Sequence, residues 1–286
     1  MEEIKVQLDN LFLLLLLSIG VSSIGMRFGF FRFPYPPKTI FPRWKNLITV
    51  FSLFLGTELI LVPFVLNFFI HFGHLSVSNP EIHGWLNIAS IFILWIVLGL
   101  YLWVLPWETR RSVWGWRAHD LKTVGKDISL GILCWLFAFP VVTFLGQLAS
   151  FGLSLFMEVP HVDQVAVQHL KETLNYPFLF WTTAIAIIGV VPFIEELLFR
   201  GFLQNFLIGM IGRWGGIILT AVIFSLFHYA PEQGYNNVEL IVSLFVLSCY
   251  LGFICERQQS LWASIGLHSF FNAVSVGMIF FGGVDG

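Results

Sequence analysis

The chain has 286 residues and a net charge of −2; 57% of it is hydrophobic, only 11% is charged, and it carries 32 Phe and 11 Trp. Soluble domains carry about 25% charged residues and need a polar coat, which this composition cannot supply. A soluble enzyme, a nucleic-acid binder and a disordered chain are excluded, and a mean hydropathy of +0.83 places the protein in a membrane.

A helix needs about 20 mostly apolar residues to cross the hydrocarbon core. The first such run, 10–26, follows Glu2, Glu3 and Asp9 against Lys5. A cleaved signal peptide has a basic start, so this run reads as a retained span. Seven more follow, at 47–70, 85–105, 128–157, 177–196, 215–229, 238–255 and 261–282. The fourth holds Pro140 and is long enough to be tilted or broken; the sixth is short. Between the first two spans, the Pro-rich, aromatic-rich stretch 31–44 reads as a surface connector at the headgroups. The stretch 107–127, with interfacial Trp and charges, reads as an amphipathic helix on the inner leaflet. Cys134, Cys249 and Cys255 sit in or beside apolar runs without a CxxC, so they read as small buried residues.

Basic residues alternate between the connectors. The loops after spans 1, 3, 5 and 7 hold 13 of the 15 Lys and Arg, and Lys5 and Lys171 fall on the other side. The positive-inside rule makes the rich side cytoplasmic. Eight spans with both termini outside satisfy this pattern, and an odd number breaks it. The expected fold is an all-α polytopic membrane protein, and the expected location is the cell membrane.

Ionisable and strongly polar residues inside a membrane are costly and mark function by default. Here they are Glu58, Glu195, Glu196, Arg200, His228, His268 and Asn272. Glu196 and Arg200 are i and i+4, share a helical face and can pair. Glu195 is turned about 100° away, so it is free for another task, such as acting as a base on water. Pro192, just before them, removes a backbone donor and can bend the helix. His228 lies one turn after Phe224. His268 and Asn272 also lie one turn apart on one face, and need polar partners that lipid cannot offer. They can knit helices together, or donate to a developing oxyanion. A carboxylate pair, two histidines and an asparagine together point to hydrolysis, with no GxSxG or HExxH to supply another chemistry.

Three motifs in this order carry a family resemblance: Glu195-Glu196-x-x-x-Arg200, Phe224-x-x-x-His228 and His268-x-x-x-Asn272. The chain resembles the CPBP, or ABI, family of intramembrane endopeptidases. That family includes CAAX prenyl proteases of the Ras-converting type and bacterial proteins linked to bacteriocin processing or immunity. The resemblance implies a bundle of about eight helices around a conical cavity. It also implies a division into N-terminal spans with basic cytoplasmic loops, 1–124, and a catalytic membrane domain, 125–286. By resemblance Glu195 is the general base, His228 assists it, His268 and Asn272 form the oxyanion site, and Glu196 and Arg200 organise them, with Phe224 in support. No cofactor is implied. The expected partners are the lipid bilayer and a membrane-embedded or lipidated protein or peptide substrate, without nucleic acid. Two alternatives stay open: a zinc hydrolase with Glu195, His228 and His268 as ligands, and a non-enzymatic scaffold or immunity protein.

Overall fold

The computed structural model describes residues 2–73, 79–115, 120–157 and 165–282. Their regular structure is helical, with no strand among them. In chain order the helices are α1 (Glu2–Arg27), α2 (Trp44–Gly73), α3 (Pro80–Val104), α4 (Trp107–Trp114), α5 (Leu121–Ser154), α6 (Val165–Glu172), α7 (Pro177–Phe227), α8 (Asn236–Gln258) and α9 (Leu261–Gly282). Seven of them, all but α4 and α6, are long and apolar enough to cross a membrane.

The seven helices hold all eight expected apolar runs, because α7 is 51 residues long and doubles back. Gly212 has φ 77° and ψ 174°, a backbone region that is essentially glycine-only. A Cβ on Gly216 would lie 2.8 Å from the backbone nitrogen of Ile208. In a straight helix those residues would be about 12 Å apart. The two arms, 177–211 and 213–227, are therefore separate helices folded against each other. The first arm also corrects the expected end of the fifth span at 196. The helix runs on to 211, so the charged motif lies inside a long helix and not at its end.

The connectors sort to two ends of the bundle. At one end Arg213 Nη2 donates to the Tyr35 carbonyl at 2.7 Å, Arg257 Nε to Phe30 at 2.7 Å and Gln259 Nε2 to Pro36 at 2.6 Å. Lys38 Nζ reaches Asn205 Oδ1 at 2.8 Å and is only 7% exposed. The stretch 31–44 is thus a surface connector, as expected, that is also pinned to the base of the bundle as a strap, with Lys38 buried beneath it. Its carbonyls, free of any helix, need donors, and the start of the second arm and the turn after α8 supply them.

The expectation for 107–127 also needs correction. Its first part is the short α4, which stops at Gly115, with φ 101°. There a side chain would collide with the Gln259 carbonyl. Residues 116–119 lie outside the described residues, and Leu121 already belongs to α5, whose 34 residues run through Pro140.

At the centre α5 packs against α9, α8 and α1. The contact with α9 is close because a Cβ at Gly131 would strike the Ala263 carbonyl, and one at Gly266 would meet that of Ile128. Lipid is as apolar as a side chain, so helices hold together in it by such close packing and by polar contacts, not by burial from water. A second core joins Val50, Leu94 and Leu98 of α2 and α3 to Leu197, Phe202 and Phe224 of α7. It wraps the charged motif. The three cysteines are free, and two of them are buried.

Candidate active site

The interior holds an ion pair with no access to solvent or lipid. Arg200 Nη1 donates to Glu196 Oε1 at 2.8 Å, and both side chains are 0% exposed. Burying two charges is unfavourable unless further polar contacts offset the loss of water, and here they do so in part, since Glu196 Oε2 and Arg200 Nε have no hydrogen-bond partner. Arg200 Nη2 donates to Ser248 Oγ of α8 at 2.6 Å. Its guanidinium carbon also sits 4.5 Å from the centre of the Phe224 ring, a cation–π contact strengthened by desolvation. Residues 197–204 form a π-helical stretch of widened turns, as functional sites in helices often do. The expected i, i+4 pair nevertheless forms.

His268 of α9 joins the two glutamates. Its Nδ1 lies 2.8 Å from Glu196 Oε1, and its Nε2 lies 3.7 Å from Glu195 Oε2. Since Glu196, as Arg200's counter-ion, can only accept, His268 Nδ1 carries the proton of the short bond. His228 ends the second arm of α7. Its Nδ1 lies 2.9 Å from the Phe224 carbonyl. A carbonyl also only accepts, so Nδ1 holds a proton and Nε2 is left toward Glu195 Oε1, 3.8 Å away. Both gaps to Glu195 exceed hydrogen-bond length and suit a bridging molecule.

The two glutamates therefore differ. Glu196 is wholly enclosed, whereas the Glu195 side chain is 23% exposed and lines a cavity of about 580 Å³ together with His228, His268 and Asn272. Most of its wall is apolar, and it extends to His83 at the start of α3 and to His169 of α6.

Asn272 is near the others but bonded elsewhere. Its Nδ2 donates to the Ile187 carbonyl at 2.8 Å. Residues 186–190 are π-helical, and the Val191 N–H reaches back five residues to Ala186. The next donor in that register would be residue 192, which is proline and has no N–H. Ile187 is thus left with an open carbonyl, and Asn272 fills it. The amide's second N–H takes no part in that bond.

The expected cluster of seven thus converges, apart from Glu58, which lies in another π-helical turn at Thr57–Leu61 in α2 and does not line this cavity. Two participants had no sequence signal: the Ser248 hydroxyl, one of many serines in apolar helices, and the Ile187 carbonyl. As a ligand set, Glu195, His228 and His268 do not bring their ligand atoms within 4.8 Å of one another.

Residues 177–274 match the sequence model of the family described as type II CAAX prenyl endopeptidase Rce1-like. No curated protein and no solved structure matches the chain. The matched segment is shorter than the expected 125–286 region, yet it holds all of the converging residues, from Glu195 to Asn272. Residues 177–274 are accordingly similar to the Rce1-like type II CAAX prenyl endopeptidase family, within a chain that has seven helices long and apolar enough for a multi-pass membrane protein.

Proposed function

We propose that the protein is an intramembrane glutamic endopeptidase. It hydrolyses a peptide bond near the C-terminus, or within the membrane segment, of a lipid-associated protein or peptide. The observation that carries this reading is the asymmetry of the adjacent glutamates. Glu196 is spent on Arg200 and His268, while Glu195 faces the cavity with an imidazole nitrogen 3.8 Å and 3.7 Å from its two oxygens.

In this mechanism Glu195 takes a proton from a water held between it and His228. The hydroxide oxygen bonds to the scissile carbonyl carbon, whose oxygen becomes anionic. His268, positively charged when both ring nitrogens are protonated and held by Glu196, donates to that oxygen along with the second N–H of Asn272. The proton taken by Glu195 passes to the leaving nitrogen, with His228 Nε2 in reach to relay it. The carbon–nitrogen bond breaks, and one water has been consumed. The apolar wall accepts a lipid-associated segment and keeps bulk water away from the charges.

Comparative membrane proteomics tests the activity. Cells with the wild-type protein should show shortened C-termini that are absent in cells with Glu195→Gln; identical C-termini in both would sink the reading. We also place both termini outside the cell membrane. The charge split supports this, as does the meeting of the basic loops at one end. Reporter fusions after residue 120 should read cytoplasmic and those after residue 76 external; the reverse pattern overturns the orientation.

A further inference from the structure

We propose that His83, His169 and Glu172 form a binding site for a divalent transition metal of the zinc type, and that the ion clamps α6 to α3 at the mouth of the cavity. The three residues come from helices far apart in sequence. Each offers one ligand atom, and all three atoms lie within 4.8 Å of one another. Two histidines and a carboxylate are a donor set that zinc accepts, with bonds of about 2.0–2.2 Å. Tetrahedral bonds of that length hold ligand atoms roughly 3.4 Å apart. His169 Nδ1 and Glu172 Oε2 are already 3.5 Å apart. The imidazole rings of His83 and His169 are 5.5 Å apart between centres, so His83 needs only a small side-chain rotation to close the set.

The cluster shows two further marks of a ligand site. His169 Nδ1 is itself shielded from solvent and forms no hydrogen bond, although the side chain as a whole is 42% exposed, and such a ring nitrogen is open to a ligand. Asn87, one turn along α3, lies 3.5 Å from His83 Nδ1. An amide can present either its oxygen or its nitrogen there, and so can hold the ring tautomer that leaves the other nitrogen free for the ion. Orienting partners of this kind accompany metal-ligating histidines.

The position gives the ion its effect. All three ligands line the cavity that holds Glu195. His169 and Glu172 lie on α6, a helix of eight residues anchored by Leu170 against Phe180 and Val276. An ion shared with His83 would tie this helix to the start of α3 and narrow the mouth. The site is separate from Glu195, His228 and His268, and metal binding can be read whether or not the protein is a peptidase.

The test is zinc titration of the purified full-length protein in detergent, by calorimetry and by metal analysis after dialysis. We expect about one equivalent bound to the wild type and to Glu195→Gln. His83→Gln and Glu172→Gln should each weaken binding by at least about tenfold, the loss typical of even an outer partner of a ligand. Melting curves without zinc show whether the variants fold. No zinc bound by the wild type, or equal affinity in folded His83→Gln, overturns the site, as does loss of the zinc only in Glu195→Gln. For the clamp, backbone amides of α6 should exchange more slowly with zinc in the wild type and unchanged in His83→Gln. Bound zinc without slower exchange overturns the clamp.

Discussion

Two buried clusters of charge stand on the first arm of α7 or at its end, and they are built differently. At the base, Lys38 is bonded to Asn205 Oδ1 and Arg213 Nε to Glu256 Oε1, each at 2.8 Å, and the two pairs meet where Lys38 Nζ lies 3.8 Å from Glu256 Oε2. Asn205 also donates to the Gly201 carbonyl at 2.8 Å and to that of Ser112 at 3.2 Å. This cluster ties strap, α4, α7 and α8 together, and its groups are turned toward each other. In the bundle interior, Glu196 and Arg200 are just as tightly paired, yet Glu195 beside them has both neighbours at 3.7 and 3.8 Å and an open side toward a cavity. In the base cluster every charged side chain has at least one partner at contact distance. A site that must admit a reactant leaves one charge at arm's length and keeps its neighbours fixed by other bonds.

That difference can be broken by substitution, with effects of decreasing size. Glu195→Gln should reduce turnover roughly 100- to 10,000-fold, the usual share of a general base, and should leave the melting temperature in detergent nearly unchanged. A normal rate would move Glu195 out of the mechanism. Glu196→Gln should destabilise the fold by about 3–5 kcal/mol, because Arg200 would be left buried without its counter-charge. Glu256→Gln should fall short of this, since Arg213 keeps the Tyr35 carbonyl and its side chain is 16% exposed. Denaturation of both variants side by side checks the ranking, and equal stability would erase the distinction between them.

Asn272 sharpens the comparison, because it belongs to both kinds of cluster. Asn272→Ala should lower kcat roughly 100- to 1,000-fold with little change in KM if its second N–H meets the oxyanion. It should also cost about 1–3 kcal/mol by stranding the Ile187 carbonyl. Kinetics normalised to folded protein separate the two effects. Destabilisation alone, with a near-normal kcat, leaves Asn272 a purely structural link. The smallest effect is expected at Phe224→Leu. Losing the ring over Arg200 should cost about 2 kcal/mol of stability at most, and the His228 tautomer should persist because the Phe224 carbonyl remains. A nitrogen-detected spectrum of His228 would show it; a changed tautomer would mean that the ring, and not the carbonyl, sets it.

Much of this architecture is local enough to be read along the chain. Apolar runs of membrane length, the alternation of Arg and Lys between connectors and the i, i+4 spacing of Glu196 with Arg200 depend on residues near one another in sequence. The same is true of Phe224 with His228, where one helical turn brings the carbonyl to the ring. The long reach of the first arm to 211 was less legible. Leu197–Gln204 mixes charged and apolar residues, which reads as the end of a span, but packing against α2, α4 and α8 continues the helix. The pinning of the strap was hidden for a related reason: Lys38 counts as a loop charge in any tally, and only the proximity of Asn205 and Glu256 explains its burial.

The order of residues by itself determined that this is a many-span membrane protein, that its polar groups are concentrated in the last hundred residues, and which glutamate pairs with the arginine. These follow from membrane thickness and helical period, which act over a few turns. The tertiary structure alone decided that His268 would touch Glu196 across 72 residues, that Ser248 would complete Arg200 across 48, and that Asn272 would occupy the carbonyl of Ile187 across 85. It also brought His83 to His169 and Glu172. Contacts of that length depend on how the helices cross, and the crossings are set by glycines at close approaches, by the reversal at Gly212 and by the need of each buried polar group for a partner that its own helix does not provide.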